Sequence, residues 1–327
     1  MRTVLTTLAF MAVALATCGV SGEERSESDR LASIVAPYID GQTLVVVHID
    51  LMAFDVAKAV ELLARLVQFP DRDRDNLQAQ FVPINVVSQS LPVGTAIDVF
   101  MVAGLADLAR LPFFLVMPLD ATTPANAIAL EARRAIEKNW RQPLTSQQIG
   151  DALITGSQGT IDRLKKSPAV ARKEIAAAFQ TAGPSAMQVA FVPSPELRRL
   201  AETLLPQLPK QVGGGSTKVF TQGVVWAAVS VDLPPNNLAV RVVLQSTNAD
   251  TAASLERELS KLLETIGQLP QIQEAIPAFA ELSKRLLPKA NGDQLQLELT
   301  EENNGLSAMV SIIAPTLRVL AASISGR

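Results

Sequence analysis

Apolar and polar residues follow two different periods along the chain, and the changes between them predict an ordered series of strands and helices. Residues 43–50 (TLVVVHID) are rich in β-branched side chains, which predicts a strand. Residues 55–68 place apolar side chains three to four positions apart, which predicts a helix. Residues 97–103 and 113–119 predict two further strands. A second helix, which begins at Thr123, and a short strand complete this half of the chain.

The second half of the chain predicts the same order. Its elements are a strand, a helix, two hairpin strands, a helix and a final strand, at residues 187–192, 195–205, 224–233, 238–245, 250–266 and 295–300. We therefore expect an α+β protein with two tandem ferredoxin-like (β-α-β-β-α-β) halves, 37–182 and 183–327, related by internal duplication. Leu63 and Leu204, each in the first helix of its half, should then be buried against the sheet of that half.

The N-terminal segment, residues 1–22, predicts a secretory signal peptide. Arg2 is its only charged residue, and a short apolar run follows. Small residues precede the expected cleavage site after Gly22. We therefore expect export to the periplasm or cell envelope, and a solvated polar linker over residues 23–36.

Two alternatives for this segment stay open. The residues Leu15-Ala16-Thr17-Cys18 resemble a bacterial lipobox, although Thr17 is unusual directly before the cysteine. Cleavage before Cys18 would give a lipoprotein that is anchored through this residue. An uncleaved membrane anchor is the other alternative, although the apolar run is short for a span. Cys18 is the only cysteine, so cleavage after Gly22 leaves a chain without thiols or disulfides.

The composition excludes several classes of protein. Hydrophobic residues make up 48% and charged residues 19% of the 327 residues, which excludes a disordered chain. A formal net charge of -3 argues against a nucleic-acid-binding surface. One histidine and one cysteine leave few ways to build a metal site or a nucleophilic triad, and no phosphate-loop or dinucleotide motif is found. We expect no cofactor and no bound metal.

The N-terminal segment and the residues APYIDGQTLVVVHIDL (Ala36–Leu51) resemble those of a loose group of uncharacterised exported proteins from planctomycete-type bacteria. The order of the two halves is similar as well, so the resemblance covers most of the chain. It implies export, and it implies no activity because the group has no known activity to transfer.

His48 and Asp50 are the candidate site residues in the sequence. In the first predicted strand, alternation puts Leu44, Val46, His48 and Asp50 on one face. His48 is then a candidate general base that Asp50 holds in place. No nucleophile motif accompanies the pair, so the alternative is a structural histidine, partly buried on the less covered face of the sheet.

Three functions stay open, and a non-enzymatic role is favoured over an enzyme. The leading hypothesis is an exported cell-envelope protein that acts as a binding or scaffold module for another envelope protein, which a filled core would favour. The second is a carrier of a small apolar ligand, which an enclosed apolar cavity of about 300 Å³ or more would favour. The third is an envelope hydrolase that uses Asp50 with Asp98 or Asp232, which carboxylates converging in a cleft would favour.

Overall fold

The computed structural model describes residues 24–51, 98–107, 113–119, 143–166, 170–209, 214–232 and 238–312, with isolated positions between 53 and 137. These residues form helices and antiparallel strands, which confirms the predicted α+β class. The strands are β1 Thr43–Asp50, β2 Asp98–Gly104, β3 Phe114–Pro118, β4 Thr145–Ile149, β5 Ala152–Gly156, β6 Met187–Phe191, β7 Val224–Asp232, β8 Ala239–Ser246, β9 Lys289–Asn291 and β10 Gln294–Thr300.

The helices are short except for one. They are α1 Glu24–Val35, α2 Gln158–Lys166, α3 Lys173–Ala182, α4 Pro195–Leu204, α5 Lys218–Gly223, α6 Ala249–Gly267, α7 Pro270–Ala275 and α8 Phe279–Arg285. Residues 305–312 are also helical. The beginnings of α4 and α6 follow from capping, because Ser194 and Asn248 accept hydrogen bonds from backbone N–H groups three residues later. No helix in the described ranges has the length and apolar character that a membrane span requires.

All ten strands belong to one sheet, in the order β4-β5-β3-β2-β1-β6-β7-β8-β10-β9. The central pair is β1 and β6, where Val47 lies opposite Val189. Outward from this pair, the first half gives β1-β2-β3-β5-β4 and the second half gives β6-β7-β8-β10-β9. The strand order is therefore the same in the two halves. The two predicted hairpins, β2 with β3 and β7 with β8, are both antiparallel pairs, as expected.

The predicted ferredoxin-like order is wrong. In that unit, two strands joined by a helix run parallel, with a third strand between them. Here β6 and β7, which α4 and α5 join, are direct antiparallel neighbours, and the strands of each half follow one another across the sheet in nearly their chain order. Each half also ends in a hairpin, β4–β5 or β9–β10, in place of a single final strand. Hydrophobic periodicity identifies strands but carries no information about the direction of the partner strand.

The predicted linker over residues 23–36 is also wrong, because residues 24–35 form helix α1. Leu31 and Val35 of this helix are fully buried against the sheet. The apolar residues of α1 are confined to its last two turns, and charged residues dominate the first two. A window that begins at Glu23 therefore has the polarity of a solvated segment, although its end belongs to the core.

The sheet has a core on each face. On one face, α1 and α3 cover a cluster that includes Leu31, Phe100, Phe114, Ile175 and Phe179. On the opposite face, residues 305–312 contribute Leu306 and Val310 to a cluster with Val47, Val231 and Leu299. Each fully buried side chain of this kind stabilises the fold by roughly 1.5–3 kcal/mol. One continuous sheet covered on both faces therefore replaces the two separate sheets of the prediction.

The predicted burial of Leu204 is wrong as well. Leu204 is 73% exposed at the end of α4, and no residue of that helix is buried. Leu63, its predicted equivalent, lies outside the described residues. Helical spacing correctly predicts α4 and its apolar stripe, but the stripe is not covered by the sheet.

Candidate functional site

A row of polar side chains crosses the face of the sheet that α1 covers. His48 on β1 lies opposite Gln188 on β6, and Gln188 lies opposite Ser230 on β7. Ser230 lies in turn opposite Arg241 on β8. Because residues directly opposite each other in antiparallel strands point to the same face, these side chains share one side of the sheet. His48, Gln188 and Ser230 are buried there among apolar neighbours.

His48 is hydrogen-bonded to Asp98 on the neighbouring strand. Its Nε2 lies 2.7 Å from Asp98 Oδ1, and Arg30 Nη1 of α1 donates to Asp98 Oδ2 at 2.7 Å. Arg30 Nε donates in turn to Glu27 at 2.9 Å. Burial by itself would raise the pKa of Asp98, but the hydrogen bonds from His48 and Arg30 outweigh it and hold the pKa below its usual value. The chain of contacts attaches α1 to the centre of the sheet.

The predicted pairing of His48 with Asp50 is wrong. Asp50 lies opposite Asp98, and its Oδ1 accepts a hydrogen bond from the Ala53 backbone at 3.2 Å. His48 lies opposite Phe100, so Asp98 is its diagonal neighbour on β2. The side chain of Asp98 spans this diagonal and reaches His48 Nε2 at 2.7 Å. His48 is also 2% exposed beneath α1, and not partly buried on a less covered face.

Two buried atoms in this row have no hydrogen-bond partner. They are His48 Nδ1 and Gln188 Oε1, on residues that lie opposite each other. The other end of the Gln188 amide is fixed, because Nε2 donates to the Gly183 carbonyl. A general base must reach its substrate, and both ring nitrogens of His48 lie in the interior. The surroundings of His48 therefore support a structural role.

Of the two carboxylate pairs that a hydrolase would use, Asp50 and Asp98 lie opposite each other on β1 and β2. Asp232 on β7 is two strand spacings, about 10 Å, from Asp50 on β1. Both oxygens of Asp98 are occupied by His48 and Arg30. Burial raises the pKa of Asp232 to about 7, with Glu298 adding to this rise and Arg241 opposing it. Among the described residues, no group of three His, Cys, Asp or Glu side chains could hold a metal ion.

An apolar groove lies on the opposite face, between α4, α5 and the sheet. Its volume is about 320 Å³, and it is partly open to solvent. Phe191, Ala227 and Leu244 on three adjacent strands form its floor. Leu197 and Ala201 of α4 and Phe220 of α5 form its walls. The size is within the range of small-molecule sites, which are concave and mainly apolar.

The groove exists because α4 does not pack directly on the sheet. Its apolar residues Leu197, Leu200, Ala201 and Leu204 recur at helical spacing and form one stripe. Leu197 and Ala201 face the groove, whereas Leu200, Leu204 and the following Leu205 are exposed. A surface helix normally buries such a stripe, and an exposed apolar patch is typical of an interaction site. The helical spacing of apolar residues does not predict this exposure, because it does not show which other element covers the stripe.

Arg198 fixes the position of α4 at the edge of the groove. Its Nε donates to the Pro193 carbonyl at 3.3 Å and its Nη2 to the Val225 carbonyl at 3.4 Å. Its Nη1 donates to the Thr221 carbonyl. Burial lowers the pKa of Arg198, although nearby carboxylates act in the other direction. These bonds join the beginning of α4 to the end of α5 and to β7.

Comparisons with protein-family models, with curated proteins and with solved structures find no match for this chain. The geometry of the two faces is therefore the basis for a functional proposal.

Proposed function

We propose that this protein is an exported, non-enzymatic binding protein of the cell envelope that carries a small apolar ligand in the groove beneath α4. The observation that carries the proposal is the groove itself, at about 320 Å³ with an apolar floor and walls. The exposed Leu200, Leu204 and Leu205 continue its apolar surface to solvent. A scaffold whose core is filled has no need of such a groove.

The groove offers enough apolar surface for useful affinity. Each 100 Å² of apolar ligand surface removed from water contributes about 2.5 kcal/mol. Loss of translational and rotational freedom offsets part of this gain. A ligand that buries about 300–400 Å² gains about 7.5–10 kcal/mol, and subtracting a cost of about 4 kcal/mol leaves about -4 to -6 kcal/mol, a dissociation constant between about 1 mM and tens of micromolar.

The envelope location in this proposal rests on the N-terminal sequence. Residues 1–22 have the basic start and short apolar run of a signal peptide, and the alternative is a lipoprotein anchored through Cys18. Mass spectrometry of the exported protein distinguishes them by an N-terminus at Glu23 or by a lipidated Cys18. In either form, the chain that follows contains no other cysteine.

We also propose that the two halves arose by duplication of one unit. The supporting observation is the shared strand order outward from β1 and β6, with a hairpin at each outer edge. The two halves meet as neighbouring antiparallel strands and complete a single sheet. The duplicated unit is thus an antiparallel five-stranded half-sheet in place of a ferredoxin-like fold.

Filling the groove is the direct test of the carrier function. Ala201→Trp places an indole in the groove, and Ala280→Trp adds the same side chain at an exposed position on α8, outside the groove. We expect the wild type and Ala280→Trp to bind the uncharged dye Nile red equally, and Ala201→Trp to bind it at least tenfold more weakly. Fluorescence titration measures all three affinities. Equal binding by all three proteins, or none by the wild type, would refute the proposal.

A further inference from the structure

We infer that the ligand of the groove is a single-chain amphiphile with an anionic head, which Arg198 binds while the alkyl chain lies over the sheet. This inference rests on the proposed function, because it names the class of ligand for the same groove. Three observations carry it: the place of Arg198 in the groove, its remaining hydrogen-bond donors, and its lack of an acidic partner.

Arg198 is the charged residue in a groove whose other lining residues are apolar, apart from Thr221. Its guanidinium donates to the backbone carbonyls of Pro193 and Thr221, two residues that also line the groove. A ligand with an alkyl chain on Phe191, Ala227 and Leu244 would therefore present its end group to a cation. The lining of the groove is almost wholly apolar, so the head group would meet Arg198 at the rim and the alkyl chain would fill the groove.

Two N–H groups of the Arg198 guanidinium remain for a ligand. Arginine carries five N–H groups, and three hydrogen bonds to backbone carbonyls occupy three of them. The carbonyl bonds also fix the plane of the guanidinium before a ligand arrives. Carboxylate and phosphate groups accept two parallel hydrogen bonds from such a fixed plane, and these charge-assisted bonds are among the stronger ones in proteins.

Arg198 also has no acidic partner in the part of the chain that the structure describes. The ion pairs found there involve other residues. Glu174 and Glu202 both act on the charge of Arg198, but neither forms an ion pair with it. Glu174 lies 3.9 Å from Arg172, and Glu202 Oε1 accepts hydrogen bonds from Thr221 and Gln222. A partly desolvated cation is unfavourable unless an anion balances it, which is consistent with the lowered pKa of Arg198. An anionic ligand head supplies that balance.

Calorimetry with matched ligands tests the inference. The protein used is residues 23–327, which remain after the N-terminal segment 1–22 is removed. The ligands are dodecanoate, dodecyl phosphate and dodecanol, all below their aggregation limits. We expect at least one of the two anions to bind at least tenfold more tightly than the alcohol. The anion that binds more tightly identifies the head as a carboxylate or a phosphate. Equal affinity for all three would overturn the inference but leave the carrier function intact, whereas no binding of any of them, with no binding of Nile red, would refute both.

Two arginine variants test where the head group of the ligand binds. Arg198→Gln should lower the affinity for the preferred anion to that for the alcohol and leave alcohol binding within about twofold. Arg199→Gln, at the exposed neighbouring position, should change neither. If Arg198→Gln does not fold, as judged by circular dichroism, the ratio of anion to alcohol affinity in the wild type decides. Anion preference that is unchanged in a folded Arg198→Gln would overturn the assignment of the head to Arg198. Sedimentation provides a further check. If the wild type forms a dimer and Leu204→Glu abolishes it, a second copy occupies the groove, and the assignment of the head to Arg198 is overturned.

Discussion

At the residue scale, Asp98 is a carboxylate whose two oxygens both bind other side chains. It lies between His48 and Arg30, and it is itself nearly fully buried. Strand alternation correctly predicts that Val46 and His48 share a face, as their common core position shows. It could not predict the partner of His48, because Asp98 is fifty positions away and register alone brings it near.

Removing the charge of Asp98 should therefore be costly. We expect Asp98→Asn to lower the free energy of unfolding by roughly 3–5 kcal/mol, because it removes the charge and one of the two acceptor oxygens that the buried His48 and the half-buried Arg30 share. Because the folded-state pKa of Asp98 is lowered, its stabilising contribution is present above its normal pKa and is lost as the pH falls through the folded value. Urea denaturation at pH 7 measures the loss. The control Asp29→Asn, on the exposed side of α1, should stay within about 0.5 kcal/mol. A similarly small effect at Asp98 would contradict the importance of this contact.

Asp232 should give the opposite dependence on pH. Its pKa is raised from 3.8 to about 7, so the folded protein retains a proton that the unfolded chain releases. Its contribution to stability is full below pH 3.8 and is lost as the pH rises through about 7. We expect Asp232→Asn to match the wild type at pH 3, below both pKa values, and to be more stable by roughly 1–4 kcal/mol at pH 8. Urea unfolding at the two pH values tests this. A variant that is no more stable than the wild type at pH 8 would show that the pKa of Asp232 is not raised.

At the scale of elements, α4 and α6 have similar apolar patterns but different surroundings. Leu255 of α6 is fully buried against Val224 and Leu295, whereas Leu204 of α4 is exposed. The sequence predicts both helices, and the structure places them within one residue of the predicted bounds. Which stripe meets the sheet depends on the position of each helix relative to the strands, and a periodic pattern does not contain that information.

The two leucines should accordingly differ in their effect on stability. We expect Leu255→Ala to lower the free energy of unfolding by roughly 2–5 kcal/mol through the cavity it leaves. Leu204→Ala, the same change at an exposed site, should lower it by no more than about 0.5 kcal/mol. Thermal or urea denaturation of the two variants provides the comparison. A loss of more than about 2 kcal/mol for Leu204→Ala would show that α4 packs against the protein more closely than this structure indicates.

At the scale of the whole molecule, one ten-stranded sheet separates a face with a buried polar row from a face with an apolar groove. The repeated order of elements is visible in the sequence, since hairpins and helices recur with similar lengths. The pairing of β1 with β6, which joins the halves, is not visible, because a long-range antiparallel contact leaves no local pattern. The groove is hidden for the same reason, since its floor comes from three strands and its walls from two helices.

The most direct test of the carrier function is a crystal structure of the protein with a bromine-labelled twelve-carbon carboxylate. Anomalous scattering then locates the alkyl chain without reference to any variant. We predict a bromine peak over Phe191, Ala227 and Leu244, with the carboxylate facing Arg198. A groove occupied by a second copy or by another part of the chain, with the bromine elsewhere or absent, would contradict it.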